Sequence, residues 1–500
     1  MRVFIVLNSL TNNLSGVELS ALNRLKMFVS YSSFDISLLT VNFHKNTVDF
    51  FEYYSLNYLG KSKDRYFDNI YMSILGRNKK CIERAAASVS AKYNYSERIS
   101  EIHERYYDDQ KKLLMYAVFY PNGLHKNKLN YINYFCEGYK IQRAHYTLSG
   151  SLSHIQYLEK DTGEVYREEL LCVEGKPKII NYFSNKKLVR IEINNDDGLL
   201  EHVFYSKNEL MKWWFEENLK NKDVLIFDGC SNWLSVFKGI DKKLKLISVL
   251  HSNHLAEGEP SETGRFISQQ RYNLLTDDSF LDAHIILTKK QLVDISRRLK
   301  KHTPLLNIPH SLLDSVNRVS FCRRQLNRII IAARLAPEKN LTDAIYIMRK
   351  VVDQLPDLEL HIYGEGPEKE ALTKLIDSLN LSENVALKGF THDVKEKLNS
   401  ACLYLSTSTR ESFSLSILES LSCGVPVLAY NVDYGPSELI KHGYNGYLVN
   451  AFDIEDAASQ ILTYFSSENN MKNMSINSYL SVERYFPKNV VEKWRQLILD

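Results

Sequence analysis

The chain of 500 residues carries 63 Lys and Arg against 60 Asp and Glu, a net charge of +3, so no global electrostatic argument for nucleic acid exists. Hydrophobic residues at 44% and charged residues at 25% are ordinary for a globular protein, and the length allows about two to four domains with separate cores. Seven cysteines, Cys81, Cys136, Cys172, Cys230, Cys322, Cys402 and Cys423, form no CxxC pair, which fits reduced thiols better than a disulfide framework or a zinc site.

Met1-Arg2 followed by VFIVL is too short for a signal-peptide core and runs into Asn8. No apolar run approaches membrane-spanning length. The expected location is the cytoplasm, with any membrane contact peripheral, at the inner face of the cell membrane. The 31 tyrosines and 22 phenylalanines suit carbohydrate faces, subunit interfaces and β-rich cores alike.

Val3 to Leu7 reads as a buried strand, Asn8 to Ser15 as a polar loop, and Gly16-Val17-Glu18 as the opening of a helix through Leu19, Leu22, Leu25 and Phe28. Strand, glycine-containing turn and helix make a nucleotide-fold opening, with backbone N–H groups at Gly16 free to meet an anion. Phe34 to Val41 is the expected second strand.

From about residue 76 to residue 212 the pattern changes. Ser96 to Met115 is charged and reads as a helix. Short alternating segments follow, Ile155–Leu158, Val165–Leu171 and Val189–Ile193, with turn signals at Lys160-Asp161-Thr162-Gly163 and Asn195-Asp196-Asp197-Gly198. Alternation at period two between such turns predicts antiparallel hairpins. This β-meander insertion serves either as a scaffold or oligomerisation module or as an acceptor-binding platform. Lys176, Lys178, Lys186, Lys187 and Arg190 offer it a basic track, although such runs are usually solvated faces.

The α/β pattern resumes at Val224–Phe227 and Leu244–Leu250, and the latter strand ends in His251-Ser252-Asn253-His254. Histidines just past a strand's carboxyl end can hydrogen-bond a hydroxyl of a ligand there, while a lone histidine is more often structural. No carboxylate or cysteine arrangement completes a metal site beside them. Ala283–Thr288, a helix over Gln291–Leu299 and Leu305–Pro309 finish the first α/β domain, and residues 310–327 are the hinge candidate.

Arg328–Ala333 begins a second sheet. Leu341, Ala344, Ile345, Met348, Val352 and Leu355 form one apolar helix face. Leu358–Tyr363, a turn at Gly364–Pro367, a helix over Glu368–Leu379 and Val385–Phe390 continue the alternation. Leu403–Ser406 is then a strand, Thr407–Glu411 a loop, and Ser414 a candidate cap for a helix bearing Leu415, Leu418 and Leu421. Gly424 ends that helix, and Val425–Tyr430 is the next strand. By themselves, Glu411 is a solvated loop charge and Glu419 the polar edge of an amphipathic helix.

Glu411-x7-Glu419, followed by Gly424-Val425-Pro426-Val427, resembles the donor-site signature of family 4 retaining glycosyltransferases. Ala333-Arg334-Leu335 with Glu338-Lys339-Asn340, Gly364-Glu365-Gly366-Pro367, and Gly389-Phe390 are similar to that family's companion motifs. One alone is weak; four in order are specific. The family usually has paired glycines where this chain has Ser15-Gly16, and a glycine where it has Ser412.

The resemblance implies an α/β GT-B fold: two Rossmann-like domains facing a cleft, with the β-rich insertion in the first. The implied limits are 1–75 with 213–315 for the first domain, 76–212 for the insertion, 316–484 for the nucleotide-sugar domain and 485–500 for a terminal helix returning to the first. It implies Arg334 and Lys339 on the donor diphosphate, backbone N–H groups of Phe413, Ser414 and Leu415 on the same phosphate, and Glu419 on the ribose. Glu411 and His254 take places by the donor sugar, His251 behind His254, Phe390 beside the base, and Gly364 and Gly16 in donor-side turns. No cofactor or metal is implied, since UDP-glucose or UDP-N-acetylglucosamine is a substrate.

The whole layout resembles the bacterial poly(ribitol- or glycerol-phosphate) α-glycosyltransferases of wall teichoic acid, and also the accessory-Sec glycosyltransferases of serine-rich adhesins. The implied partners are therefore a polyol-phosphate polymer or a serine-rich protein, with a homo-oligomer, a trimer through the insertion, in the former case. A catalytically silent glycosyltransferase-like subunit is the reading from another class; intact Arg334, Lys339, Glu411 and Glu419 argue against it.

Overall fold

The computed structural model describes residues 1–12, 14–60, 66–77, 95–121, 127–228, 234–237, 239–256, 259, 264–268, 275, 280–299, 303–312 and 319–500. Cys81, Cys230 and part of the hinge candidate lie outside them. The chain divides into two compact units, Met1–Glu18 with Asp35–Leu244, and Leu19–Phe34 with Lys245–Asp500. The expected domain limits follow sheet membership, whereas these units follow packing.

In the first unit, Arg2–Leu7 pairs in parallel with Val224–Asp228 on one side and Asp35–Thr40 on the other, and Phe67–Asn69 follows. Val3, Ile5 and Val6 are fully buried, as the continuous apolar run requires of a strand covered on both faces.

Ten antiparallel strands from Tyr95–Ser100 to Leu200–Phe204 form one sheet in strict chain order. The helix expected over Ser96–Met115 is a correction: these residues form the strands Tyr95–Ser100 and His103–Tyr107 and the start of Leu113–Phe119. High charge density favoured the helical reading. Tyr106 and Met115, directly paired across two strands, are instead buried in a small core with Ala117, Leu129 and Ile132, and pairing partners decide a half-buried strand.

Hydrogen bonds help to fasten the meander to the rest of its unit. Lys45 Nζ donates to the Asn130 carbonyl at 3.1 Å, Leu148 N–H to Asn46 Oδ1 at 3.0 Å, and Arg77 Nη2 to the Leu152 carbonyl at 2.8 Å.

In the second unit Lys245–Leu250, Ala283–Ile286 and Leu305–Asn307 are parallel neighbours. A separate six-stranded parallel sheet runs, in space, Val385–Gly389, Glu359–Tyr363, Arg328–Ala332, Leu403–Ser406, Val427–Tyr430, Gly446–Val449. Numbered along the chain, its order is 3-2-1-4-5-6, so the side on which successive strands are added reverses between the parallel neighbours Arg328–Ala332 and Leu403–Ser406. The expected helix face, Leu341, Ala344, Ile345 and Met348, is buried against it. The terminal helix Pro487–Leu499 places Trp494 against Phe28, ring centroids 5.9 Å apart, and under the Arg24 guanidinium.

Candidate functional site

In an open α/β sheet the crevice outside the carboxyl ends of the strands, at the point of reversal, is where ligands bind. Here that point is flanked by Ala333–Asn340 after one strand and Thr407–Ser414 after the next. The two segments are tied together: Thr409 N–H and Oγ1 both donate to the Glu338 carbonyl, at 3.0 and 3.3 Å, and Thr407 Oγ1 donates to that of Lys339 at 3.1 Å. Their side chains then meet, Lys339 Nζ donating to Glu411 Oε1 at 2.7 Å. Ala333, Lys339, Ser406, Thr407, Ser408 and Ser416 line a small recess there.

Gly364-Glu365-Gly366 packs its backbone closely against Ala333 and Leu335. A Cβ at Gly364 would lie 1.8 Å from the Ala333 carbonyl oxygen, and one at Gly366 2.2 Å from that of Leu335. The R-L element and the G-x-G-P turn are thus one packed object, held by Leu335 N–H to the Glu365 carbonyl at 3.0 Å and Glu368 N–H to the Leu335 carbonyl at 3.2 Å. Arg334 stays exposed and ion-paired with Glu338. Phe390, 66% exposed, stands at the end of the strand beside that turn, edge-on to His392.

The helix Leu415–Ser422 begins one residue after Ser414, which has left-handed backbone angles and no side-chain cap bond. Side-chain capping by Ser414 is therefore corrected; only its carbonyl serves the helix, accepting from Leu418 N–H at 3.2 Å. Glu419 projects from this helix. Desolvation of this half-buried residue pushes its carboxyl up to about 7, with Lys395 pulling the other way, so the neutral form is favoured more than in a free carboxyl.

The two histidines differ. His254 is fully buried, stacked on Tyr434 and tilted against Phe266, while His251 is half-buried and stacks on His310, which meets Phe413 edge-on. The more exposed of the pair is thus the one expected behind the other. Gly16 lies in the other unit, and a side chain there would meet nothing within 4 Å; beside it Glu18 accepts from Ser15 N–H at 2.6 Å.

Tyr434, Gln291, Asp294 and His310 belong to this neighbourhood and were not singled out from the sequence. Gln291 Nε2 donates to the Ser252 carbonyl at 3.1 Å. The available signal was the strand-end position of Asn431–Pro436, after Val427–Tyr430. In the insertion, Lys178, Lys186 and Arg190 each pair with a carboxylate, Asp196, Glu164 and Glu192, so most of the basic track is neutralised locally. Among the described residues no group of three or more His, Cys, Asp or Glu could hold a metal ion, and no helix is long and apolar enough to cross a membrane.

A sheet of this order is a Rossmann-like domain, and the chain has the GT-B fold of its structural neighbours. Residues 319–481 match the family described as glycosyl transferases group 1, the stretch that carries the motifs on which the resemblance was drawn.

The chain is 27% identical over 397 residues to a poly(glycerol-phosphate) alpha-glucosyltransferase of Bacillus subtilis, a match spanning 76% of this chain and 57% of that enzyme. It is 26% identical to a poly(ribitol-phosphate) alpha-N-acetylglucosaminyltransferase of Staphylococcus aureus, over 67% and 69% of the two chains. It is 25% identical to the GtfA subunit of a UDP-N-acetylglucosamine–peptide N-acetylglucosaminyltransferase of Streptococcus gordonii, over 84% and 83%.

In fold, it matches a variant of S. aureus TarM crystallised with fondaparinux, alpha-GlcNAc-glycerol and UDP at TM-score 0.85 and 23% identity, both chains covered fully. The pneumococcal O-GlcNAc transferase GtfA, in complex with UDP and GlcNAc, matches at 0.82 and 20%, over 100% and 98%.

Proposed function

We propose that the protein is a retaining hexosyltransferase that moves glucose or N-acetylglucosamine from a UDP-sugar to hydroxyls of a polyol-phosphate polymer. The observation that carries this is the Lys339–Glu411 pair at the reversal of the sheet, with the half-buried Glu419 in the helix that follows. A departing diphosphate needs fixed positive charge, which Lys339 as a point charge and Arg334 as a planar fork supply. The N–H groups at the start of Leu415–Ser422 add their dipole. Together they replace a metal ion.

Glu411, held at the same spot by Lys339, faces the anomeric carbon as it becomes electron-poor. In the front-face reaction the bond from anomeric carbon to phosphate oxygen breaks and the bond to the acceptor oxygen forms on the same face. The acceptor proton passes to the leaving phosphate. His251 or His254 holds a sugar hydroxyl, Phe390 covers the base and Glu419 accepts from the ribose. The enzyme acts in the cytoplasm at the inner membrane face, as a homo-oligomer.

A serine-rich protein acceptor is the second reading, favoured by the longer match to the GtfA subunit, 435 residues against 397. The deciding experiment offers radiolabelled UDP-glucose and UDP-N-acetylglucosamine with poly(glycerol phosphate), poly(ribitol phosphate) and, separately, a serine-rich peptide. Label in polymer is expected; label in peptide alone overturns the acceptor.

A further inference from the structure

Tyr434 lies between the two loops of the site. Its N–H donates to the Glu411 carbonyl at 2.5 Å, and the two residues form an isolated parallel bridge. Its ring is fully buried and stacks on His254, centroids 5.8 Å apart and planes 20° from parallel. Its phenol faces the Asp294 carboxyl, and burial pushes both groups toward their neutral forms.

The surroundings hold this residue from each side. A Cβ at the following Gly435 would lie 2.4 Å from the Phe413 carbonyl oxygen, so the backbone is pressed onto the turn that opens Leu415–Ser422. The helix Lys289–Arg298, which carries Asp294, touches the same loop on either side of Tyr434. Lys290 pairs with Asp433, and Lys289 N–H donates to Glu438 Oε2 at 3.1 Å. That helix also holds the histidine loop through Gln291 and the Ser252 carbonyl.

We propose that Tyr434 is a positioning residue for sugar transfer: its backbone sets the Glu411 loop, and its ring locks that setting to His254 and the loop that carries it. The proposal rests on the glycosyltransferase reading above. Tyr434 itself need touch no substrate. It keeps two groups from different strand ends in one register, and a displacement of about 1 Å between such groups can cost about 10²-fold in rate.

The test compares wild type, Tyr434→Phe and Tyr434→Leu by kcat and KM for UDP-sugar turnover and by calorimetric UDP affinity. Phenylalanine keeps the flat ring, so kcat should stay within about threefold. Leucine fills volume without the ring face, so kcat should fall about 10²-fold while UDP affinity, assigned to Arg334, Lys339 and Glu419 rather than to Glu411 or His254, stays within about twofold.

Wild-type kcat in Tyr434→Leu overturns the role. So does a loss of UDP affinity that matches the loss of kcat, because the residue would then act through general folding. If Tyr434→Leu lacks a cooperative thermal transition, Tyr434→Met, which fills the same space flexibly, is read by the same criteria. A wild-type chain that neither binds UDP nor turns over a UDP-sugar defeats the glycosyltransferase reading itself, an outcome distinct from the others.

Discussion

Lys339 and Glu411 are 24% and 11% exposed at the side chain, so removing one leaves the other short of a partner in a poorly solvated place. In Lys339→Ala, on the proposed role, the diphosphate should also lose a charge-assisted bond worth about 1.5–3 kcal/mol, a weakening of UDP binding of about 10- to 100-fold. Glu411→Ala should keep UDP binding and lose turnover. Calorimetry with a donor-hydrolysis assay separates the two, and wild-type turnover in both variants would remove the pair from the mechanism.

Glu419 gives a pH signature. Its carboxyl, raised by burial from 4.5 to about 7, keeps its proton in the folded chain after the unfolded chain has released it. The stability this contributes is complete below about pH 4.5 and is lost as pH rises to about 7. Ligand-free Glu419→Gln should therefore melt higher than wild type at pH 8, with the gap closing toward pH 4.5. A gap independent of pH would show that the carboxyl is ordinary.

At the scale of elements, the meander joins its neighbours through a cluster of basic groups. His145 and His154 stack in parallel at 4.2 Å, beside Lys45, Arg77 and His44, with a Glu168 carboxylate oxygen 3.9 Å from His154 Nε2. Burial is the larger cause and like charge the smaller in lowering them from 6.5, to about 4 for His145 and about 2 for His154. The unfolded chain then takes up protons first, so stability present at neutral pH is lost as pH falls below 6.5. His154→Phe keeps a ring against Phe43 and removes one titrating group. Its acid-unfolding midpoint, followed by circular dichroism, should move to lower pH, and an unmoved midpoint would refute the coupling.

The same sheet shows where local reading fails. The hairpins around Gly163 and Gly198 were legible because both turns announce themselves, and both glycines do adopt positive φ. Ser96–Met115 was not, since charges at short spacing satisfy a helix as well as a strand until a partner strand is present. In the second unit the strand at Leu403–Ser406 and the apolar face of Leu341–Val351 were read from periodicity alone.

For the whole molecule, the expectation is a chain that binds UDP without a metal. UDP at 100 times its dissociation constant should stabilise the folded state by about 2.7 kcal/mol, visible as a raised melting temperature with or without EDTA. EDTA should also leave transfer rates unchanged. A shift that needs added magnesium or manganese would transfer the charge-neutralising role from Arg334 and Lys339 to a cation.

The sequence by itself determined the α/β alternation, the inserted meander and the motif residues after four strand ends of the second sheet, because periodicity and glycine punctuation are local properties. It could also align Lys339 with Glu411 as members of one signature. Only the tertiary structure decided that Thr407 and Thr409 brace the two loops, that Lys178, Lys186 and Arg190 are neutralised, and that His254 is covered while His251 is not. Tyr434, in a loop with no motif of its own, became visible for the same reason. Its importance lies in contacts with residues 23, 140 and 180 positions away along the chain, and only folding brings such distances within bonding reach.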